Sequence, residues 1–216
     1  MEADKGGLLG ASAYATSLLR QVGDDQTQVT TTPPPPGYAT TFGQTLWTPT
    51  AEVAFFRDLA LGCVLPPIDT DYELDLMRNV EPSESFGLGS AGFPQVAFKG
   101  GWGPEPGDQY GVRQTGIIGS GDYGIVVSIT ADPVSTFTVG QSVLDQVAQW
   151  LRREVRATPT VAAAKASDWT GPPGIAGFAG SAGRAQSVCA NGVFGWPAMA
   201  GRNLRQTTTL DIWRPV

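Results

Sequence analysis

The chain has 216 residues, 41% of them hydrophobic, with 28 glycines and 17 prolines, enough apolar material for one sizeable core threaded with turns. Its formal net charge of -6 argues against a nucleic-acid or anionic-membrane partner, because binding phosphates takes clustered Lys and Arg. It contains no histidine, which removes Ser-His-Asp and Cys-His nucleophile systems and every His-ligated metal site; a general base must then be Lys, Asp, Glu or Tyr, and neither a metal nor a cofactor is called for.

The opening residues, MEADKGGLLGASAY, carry acids early and have no apolar signal core, so no export signal is expected in them. No apolar run approaches the roughly 20 residues of a membrane span. Leu8 to Val22 predicts the first helix, with Leu8, Leu9, Ala15, Leu18, Leu19 and Val22 on one broad face and Gly23 as its stop. Pro33 to Gly37 is a proline run that cannot be helix interior and reads as an extended surface connector, or as a proline-rich ligand for a partner domain. Thr48-Pro49 opens the second helix as N-cap and first helical residue. A third helix is expected from about Asp71, on the capping-box spacing of Thr70 and Glu73, with Leu74, Met77 and Val80 inward.

The most informative stretch is Val96 to Gly116, VAFKGGWGPEPGDQYGVRQTG. It reads as a short strand ending at Lys99, a glycine-rich turn covered by Trp102, and a second strand. A lysine at a strand end, followed by residues that let a ligand approach the backbone, suits an anionic acyl substrate. The same residues also fit a plain hairpin whose solvated lysine protects an edge. Gln109 to Ile118 and Tyr123 to Ala131 then flank the turn Gly119-Ser120-Gly121-Asp122, completing a three-stranded antiparallel meander. Thr138 and Gln141 open a closing helix to about Val155, with Leu144, Val147, Ala148, Leu151 and Val155 inward and Asp145, Gln146, Arg152 and Arg153 toward water.

Beyond Arg156 the character changes. Ala157 to Gly183 is Ala-, Gly- and Pro-rich and reads as linker or disordered. Asn191-Gly192 is a two-residue hairpin signal, and Thr207 to Trp213 alternates as a strand does. The division expected is therefore a domain over 1–156 and a tail over 157–216. Cys63, in Leu61-Gly62-Cys63-Val64-Leu65, reads as a buried thiol acting as a small hydrophobe, with a disulfide to the distant Cys189 as the alternative.

Taken together, the helices, the Lys99-Gly100-Gly101-Trp102 run, the two strands and the closing helix resemble the C-terminal part of the class A β-lactamase-like serine hydrolases. The wording PGYATTFGQTLWT, FGLG, VAFKGGWGPEP, YGVRQTGII and FTVGQSVLDQVAQWL is similar to that of actinobacterial members. The resemblance spans roughly residues 8 to 155, and nothing in 157–216 shares it. It implies an α+β fold, with an antiparallel sheet of at least three strands flanked by helices, N-terminally truncated and followed by an irregular tail.

Enzymes of that family work through S-x-x-K, S-D-N and K-T-G motifs. The resemblance makes Lys99-Gly100-Gly101 an altered third motif. Lys99 would hold a substrate carboxylate, Gly100 would lack the usual hydroxyl, and the Trp102 N–H would be an oxyanion-hole donor. Arg113 would add a second positive charge. Gly10-Ala11-Ser12 falls where S-D-N belongs, so Ser12 is the candidate hydroxyl or else a small helix-face residue. No serine in the chain has a lysine three residues later, and no G-x-S-x-G elbow substitutes. The strands and the nucleophile helix that the family carries first would lie before this chain's start. The implied activity is hydrolysis of β-lactam or peptidoglycan-peptide amides through an acyl-serine, impaired here by the missing nucleophile. A binding protein for such ligands, or a structural or interaction protein, is the alternative. The tail is expected to supply a strand to the edge of the Tyr123 to Ala131 strand, where the family places its N-terminal strands; the competing expectation is an exposed edge that self-associates. The family is usually exported, and the chain's own localisation stays open.

Overall fold

One antiparallel sheet organises the molecule, with helices on both of its faces. The computed structural model describes residues 3–34, 36, 43–105, 109–119, 124–157 and 206–213. Three helices come first: α1 (Leu8–Gln21), α2 (Pro49–Ala60) and α3 (Pro67–Arg78). The strands β1 (Val96–Glu105), β2 (Gln109–Ile118) and β3 (Gly124–Val134) follow, then α4 (Phe137–Ala157) and β4 (Gln206–Trp213). The strand order is β1-β2-β3-β4, every neighbour antiparallel. This is the α+β architecture that the sequence predicts.

The alternation of side chains along the strands splits the core in two. Val112 and Ile118 of β2, Phe98 of β1, and Ile125, Val127, Ile129 and Ala131 of β3 meet Leu144, Ala148 and Leu151 of α4. Ala97, Ile117 and Val126 point the other way, to Val53, Phe56 and Leu59 of α2 and Met77 of α3. Each fully buried Leu or Ile here contributes about 1.5–3 kcal/mol. Helix α4 lies close because of Gly140, where a Cβ would stand 2.3 Å from Val112 Cγ2.

Several boundaries depart from the sequence expectations. β1 does not end at Lys99 or turn at the glycines. It runs through Gly100, Gly101 and Trp102 to Glu105, because β2 offers a partner at every position from Val96↔Ile118 to Glu105↔Gln109. Helix α3 begins a turn earlier than Asp71, with Pro67 at its first position, and Thr70 is an interior residue whose hydroxyl donates to Leu65 O at 3.2 Å. Helix α4 is capped by Thr136, whose Oγ1 accepts from Val139 N at 3.2 Å, not by Thr138. The Thr48 cap of α2 is as expected, accepting from Ala51 N at 3.2 Å. Cys63 is half-buried and disulfide-bonded, not a buried free thiol. Cys189, the linker to Gly183 beyond Ala157, and the Asn191-Gly192 hairpin lie outside the described residues. Pro33 and Pro36 are exposed and non-helical. Among the described residues no helix is long and apolar enough to cross a membrane.

The C-terminal strand takes the place expected of it. β4 pairs along β3 from Gly124↔Trp213 to Ala131↔Gln206, covering an edge that would otherwise present the backbone of Ile125 to Ile129 as a template. Deleting residues 206–216 should remove this ladder, at about 0.5–1.5 kcal/mol per backbone hydrogen bond. The expected result is a Tm lower by about 10 °C and a shift toward larger species in size-exclusion chromatography; an unchanged Tm would show that β4 adds nothing to the sheet.

Candidate functional site

The β1–β2 register assembles the residues singled out from the sequence. Lys99 stands opposite Thr115 and Gly101 opposite Arg113. All four lie on the sheet face turned toward α2 and α3, since their neighbours Ala97 and Ile117 are in that core. Lys99 and Arg113 are thus diagonal neighbours, about 7–8 Å apart at this geometry and within reach of long side chains. The Lys99 side chain is exposed, and its Nζ donates to the carbonyl of Gly100. At Gly101 a Cβ would meet nothing within 4 Å, so the backbone beside Arg113 is open. At Gly100 it would come to 3.2 Å from Trp102 Cζ3.

Trp102 does not cover this corner. Its ring turns to the opposite face, 5.1 Å from the ring of Phe137 and 6.0 Å from that of Phe86. Only the Trp102 backbone is therefore available to a ligand, on a strand with one hydrogen-bonded neighbour, β2, among the described strands.

Arg113 is tied into a network that the sequence did not reveal. Its Nη1 donates to Glu52 Oε1 at 2.7 Å and to Trp47 O at 2.8 Å. Glu52, in the first turn of α2, is 5% exposed. Its Oε2 accepts from Thr115 Oγ1 at 2.7 Å and from Ser128 Oγ at 2.8 Å. The carboxylate is thus paired, fully hydrogen-bonded and placed at a helix N-terminus, the conditions under which a buried charge is tolerated. Thr115 and Ser128, polar residues on otherwise apolar strands facing α2, were the available signal. Thr130, opposite Arg113 on β3, has a buried hydroxyl without a partner among the described residues.

Ser12, the remaining candidate, has its described partner on the chain that follows α1. It is buried in α1 and its hydroxyl donates to Thr30 O, fastening the chain that leaves the helix. That chain is held again at Asp24, whose Oδ1 accepts from the N–H groups of Gln26 and Thr27 and whose Oδ2 accepts from Trp47 Nε1 at 3.2 Å. Burial pushes the Asp24 carboxyl up, but the hydrogen bonds from Thr27, Gln26 and Trp47 prevail and hold it below the usual carboxylate value. Since the Trp47 carbonyl accepts from Arg113, Asp24 and Arg113 grip the same residue from two sides.

On the α4 face, Gln114 is fully buried and fixes the Phe86–Gly89 loop. Its Nε2 donates to Phe86 O and its Oε1 accepts from Leu88 N, each at 2.9 Å. Gly87 is required there: φ is +57°, and a Cβ would stand 2.2 Å from Gln114 Oε1. Asp145, expected to face water, accepts instead from Gly87 N at 2.6 Å and Ser90 Oγ at 2.8 Å. Arg152, also expected outward, donates to Gly92 O at 2.9 Å and lies over the Phe93 ring. Both answer to loop carbonyls and amides that only the folded chain brings near α4. Among the described residues no group of three His, Cys, Asp or Glu could hold a metal ion.

No family model and no curated protein matches the sequence. Solved structures do match the fold. The structure of PBP-A superimposes with a TM-score of 0.51 at 18% identity, over 69% of this chain and 53% of that one. The β-lactamase from Sphaerobacter thermophilus gives 0.52 at 12% identity, over 70% and 56%. The chromosome-encoded β-lactamase of Vibrio parahaemolyticus gives 0.52 at 16% identity, over 73% and 58%. The fold is therefore that of penicillin-binding proteins and β-lactamases, and the chain spans a little over half the length of each of these neighbours.

Two stability measurements check the network. Glu52→Ala should strand the Thr115 and Ser128 hydroxyls and leave Arg113 unpaired, costing about 2–3 kcal/mol in urea unfolding; Arg113, 34% exposed, rehydrates and keeps the loss below that of a fully buried pair. A loss under about 0.5 kcal/mol would contradict the network. The lowered Asp24 value means that its contribution is complete above the unfolded-state carboxylate value of about 3.9 and is lost as pH falls through the lower folded value. Asp24→Asn should therefore destabilise the protein at pH 7 and matter progressively less as the medium is acidified below that value; a pH-independent difference would remove the charge from the explanation.

Proposed function

We propose that the chain presents the carboxylate-holding wall of a penicillin-recognising site of the β-lactamase-like serine hydrolase type. One observation carries the reading: Lys99 and Arg113 share a face of neighbouring strands beside the open backbone of Gly101. In this reading the ligand is a β-lactam or a cell-wall peptide. Lys99 supplies the attracting charge, Arg113 the planar donors that suit a carboxylate, and Gly101 the room for the ligand to lie along β1. The Trp102 N–H serves as oxyanion donor. The penicillin-binding and β-lactamase folds of the structural neighbours support this assignment.

Acyl transfer also needs an activated nucleophile, and general-base activation of a serine supplies much of the rate. The sequence given holds no Ser-x-x-Lys, and Ser12 spends its hydroxyl on Thr30. The proposed behaviour of this chain is therefore reversible ligand binding without turnover. The disulfide at Cys63 fits an oxidising, extracytoplasmic setting, where cell-wall peptides and β-lactams are met.

A fluorescent penicillin tests the reading. Saturable, reversible binding is expected, with no covalent band after denaturing electrophoresis and no nitrocefin hydrolysis above a Lys99→Ala control. That substitution should weaken binding by a charge-assisted hydrogen bond, about 1.5–3 kcal/mol or roughly 10- to 150-fold. A covalent adduct would reveal a nucleophile in the chain, and binding indifferent to both Lys99 and Arg113 would remove this pocket from the account.

A further inference from the structure

The Glu52–Arg113 pair does more to the proposed site than hold α2 against the sheet. We propose that Glu52 cancels the charge of Arg113 where the ligand sits, leaving Lys99 as the uncompensated cation of the pair, so that the site selects ligands with one carboxylate over ligands with two. This rests on the carboxylate-binding reading above and specifies its substrate class.

Three observations carry it. Glu52 Oε1 is 2.7 Å from Arg113 Nη1, a direct contact ion pair. Their charges are therefore coupled before any ligand arrives. Glu52 is 5% exposed and both of its oxygens are occupied, by Arg113, Thr115 and Ser128. It is thus fixed in place and only weakly screened by solvent. Among the described residues Arg113 is anchored through Nη1, to Glu52 and Trp47. Its remaining N–H groups are held in a fixed plane on a side chain 34% exposed. They can orient a carboxylate by hydrogen bonds without offering a second net charge.

The surroundings point the same way. Two residues along β2 from Arg113, Gly111 is flanked by carboxylates: a Cβ there would stand 3.1 Å from Glu105 Oε1 and 3.7 Å from Asp132 Cγ. Both acids are exposed. A ligand whose first carboxylate lies between Lys99 and Arg113 would bring a second one toward an acidic rim. Had Arg113 been unpaired, two cations on one face would favour the dianion.

Benzylpenicillin and carbenicillin share a scaffold and differ by one carboxylate, and competition against a fluorescent penicillin ranks them. The wild-type chain should bind benzylpenicillin at least tenfold more tightly. Glu52→Gln keeps an acceptor for Arg113 while removing the charge, and should shrink that ratio to threefold or less by improving carbenicillin; circular dichroism confirms that it folds. Equal affinities in the wild type would overturn the proposal, and that comparison stands even where the variant does not fold. A tenfold preference that persists in folded Glu52→Gln would overturn the role of Glu52 and leave carboxylate binding intact. Binding of neither ligand would overturn the carboxylate reading itself, and this proposal with it.

Discussion

A single buried carboxylate fastens the helical layer to the sheet. Glu52 enters from the first turn of α2 and meets Thr115 on β2, Ser128 on β3 and Arg113 on β2. An unpaired carboxylate at that depth would cost several kcal/mol, so the arrangement persists only while every partner is present. That requirement fixes the height and rotation of α2, and with it the packing of Val53, Phe56 and Leu59 on Ala97, Ile117 and Val126. It also fixes Arg113. The outer part of the same face, where Lys99 stands, takes its geometry from this anchorage.

The opposite face is secured by an uncharged counterpart. Gln114 replaces the missing backbone partners of the Phe86–Gly89 loop, and Asp145 receives the amide of Gly87. Neighbouring positions on β2 therefore carry the two clamps: Gln114 faces α4, while Arg113 and Thr115 face α2. One strand holds both layers. The candidate site follows from this, since β2 is the one strand paired with β1 among the described residues, and through β2 Lys99 inherits a fixed register with Arg113.

Local signals in the sequence located the helices and strands well, for reasons that need no distant partner. Thr48-Pro49 starts α2 because capping and a preset φ act within one turn. The period of Leu144, Ala148 and Leu151 marks the buried face of α4. The alternation from Thr207 to Trp213 marks β4, and an unpaired β3 edge gives it a place to go. Two boundaries were settled by the stronger of two competing signals. Pro67 at the first helical position outranked the Thr70 capping box, and β2 pairing carried β1 through glycines that read as a turn.

Composition by itself determined that this chain has no histidine to offer, and the spacing of residues determined helices around a three-stranded antiparallel meander with Lys99 and Arg113 on adjoining strands. Which face each side chain takes was decided only by the tertiary structure, because a one-residue difference in register exchanges the two faces of a strand. So Trp102 turned to the α4 core and Ser12 to the Thr30 carbonyl. Glu52, separated from Arg113 by 61 positions, met it only once α2 had packed on the sheet. No local pattern encodes such a meeting: a buried charge finds its partner through the close packing of elements, and that packing is a property of the whole chain.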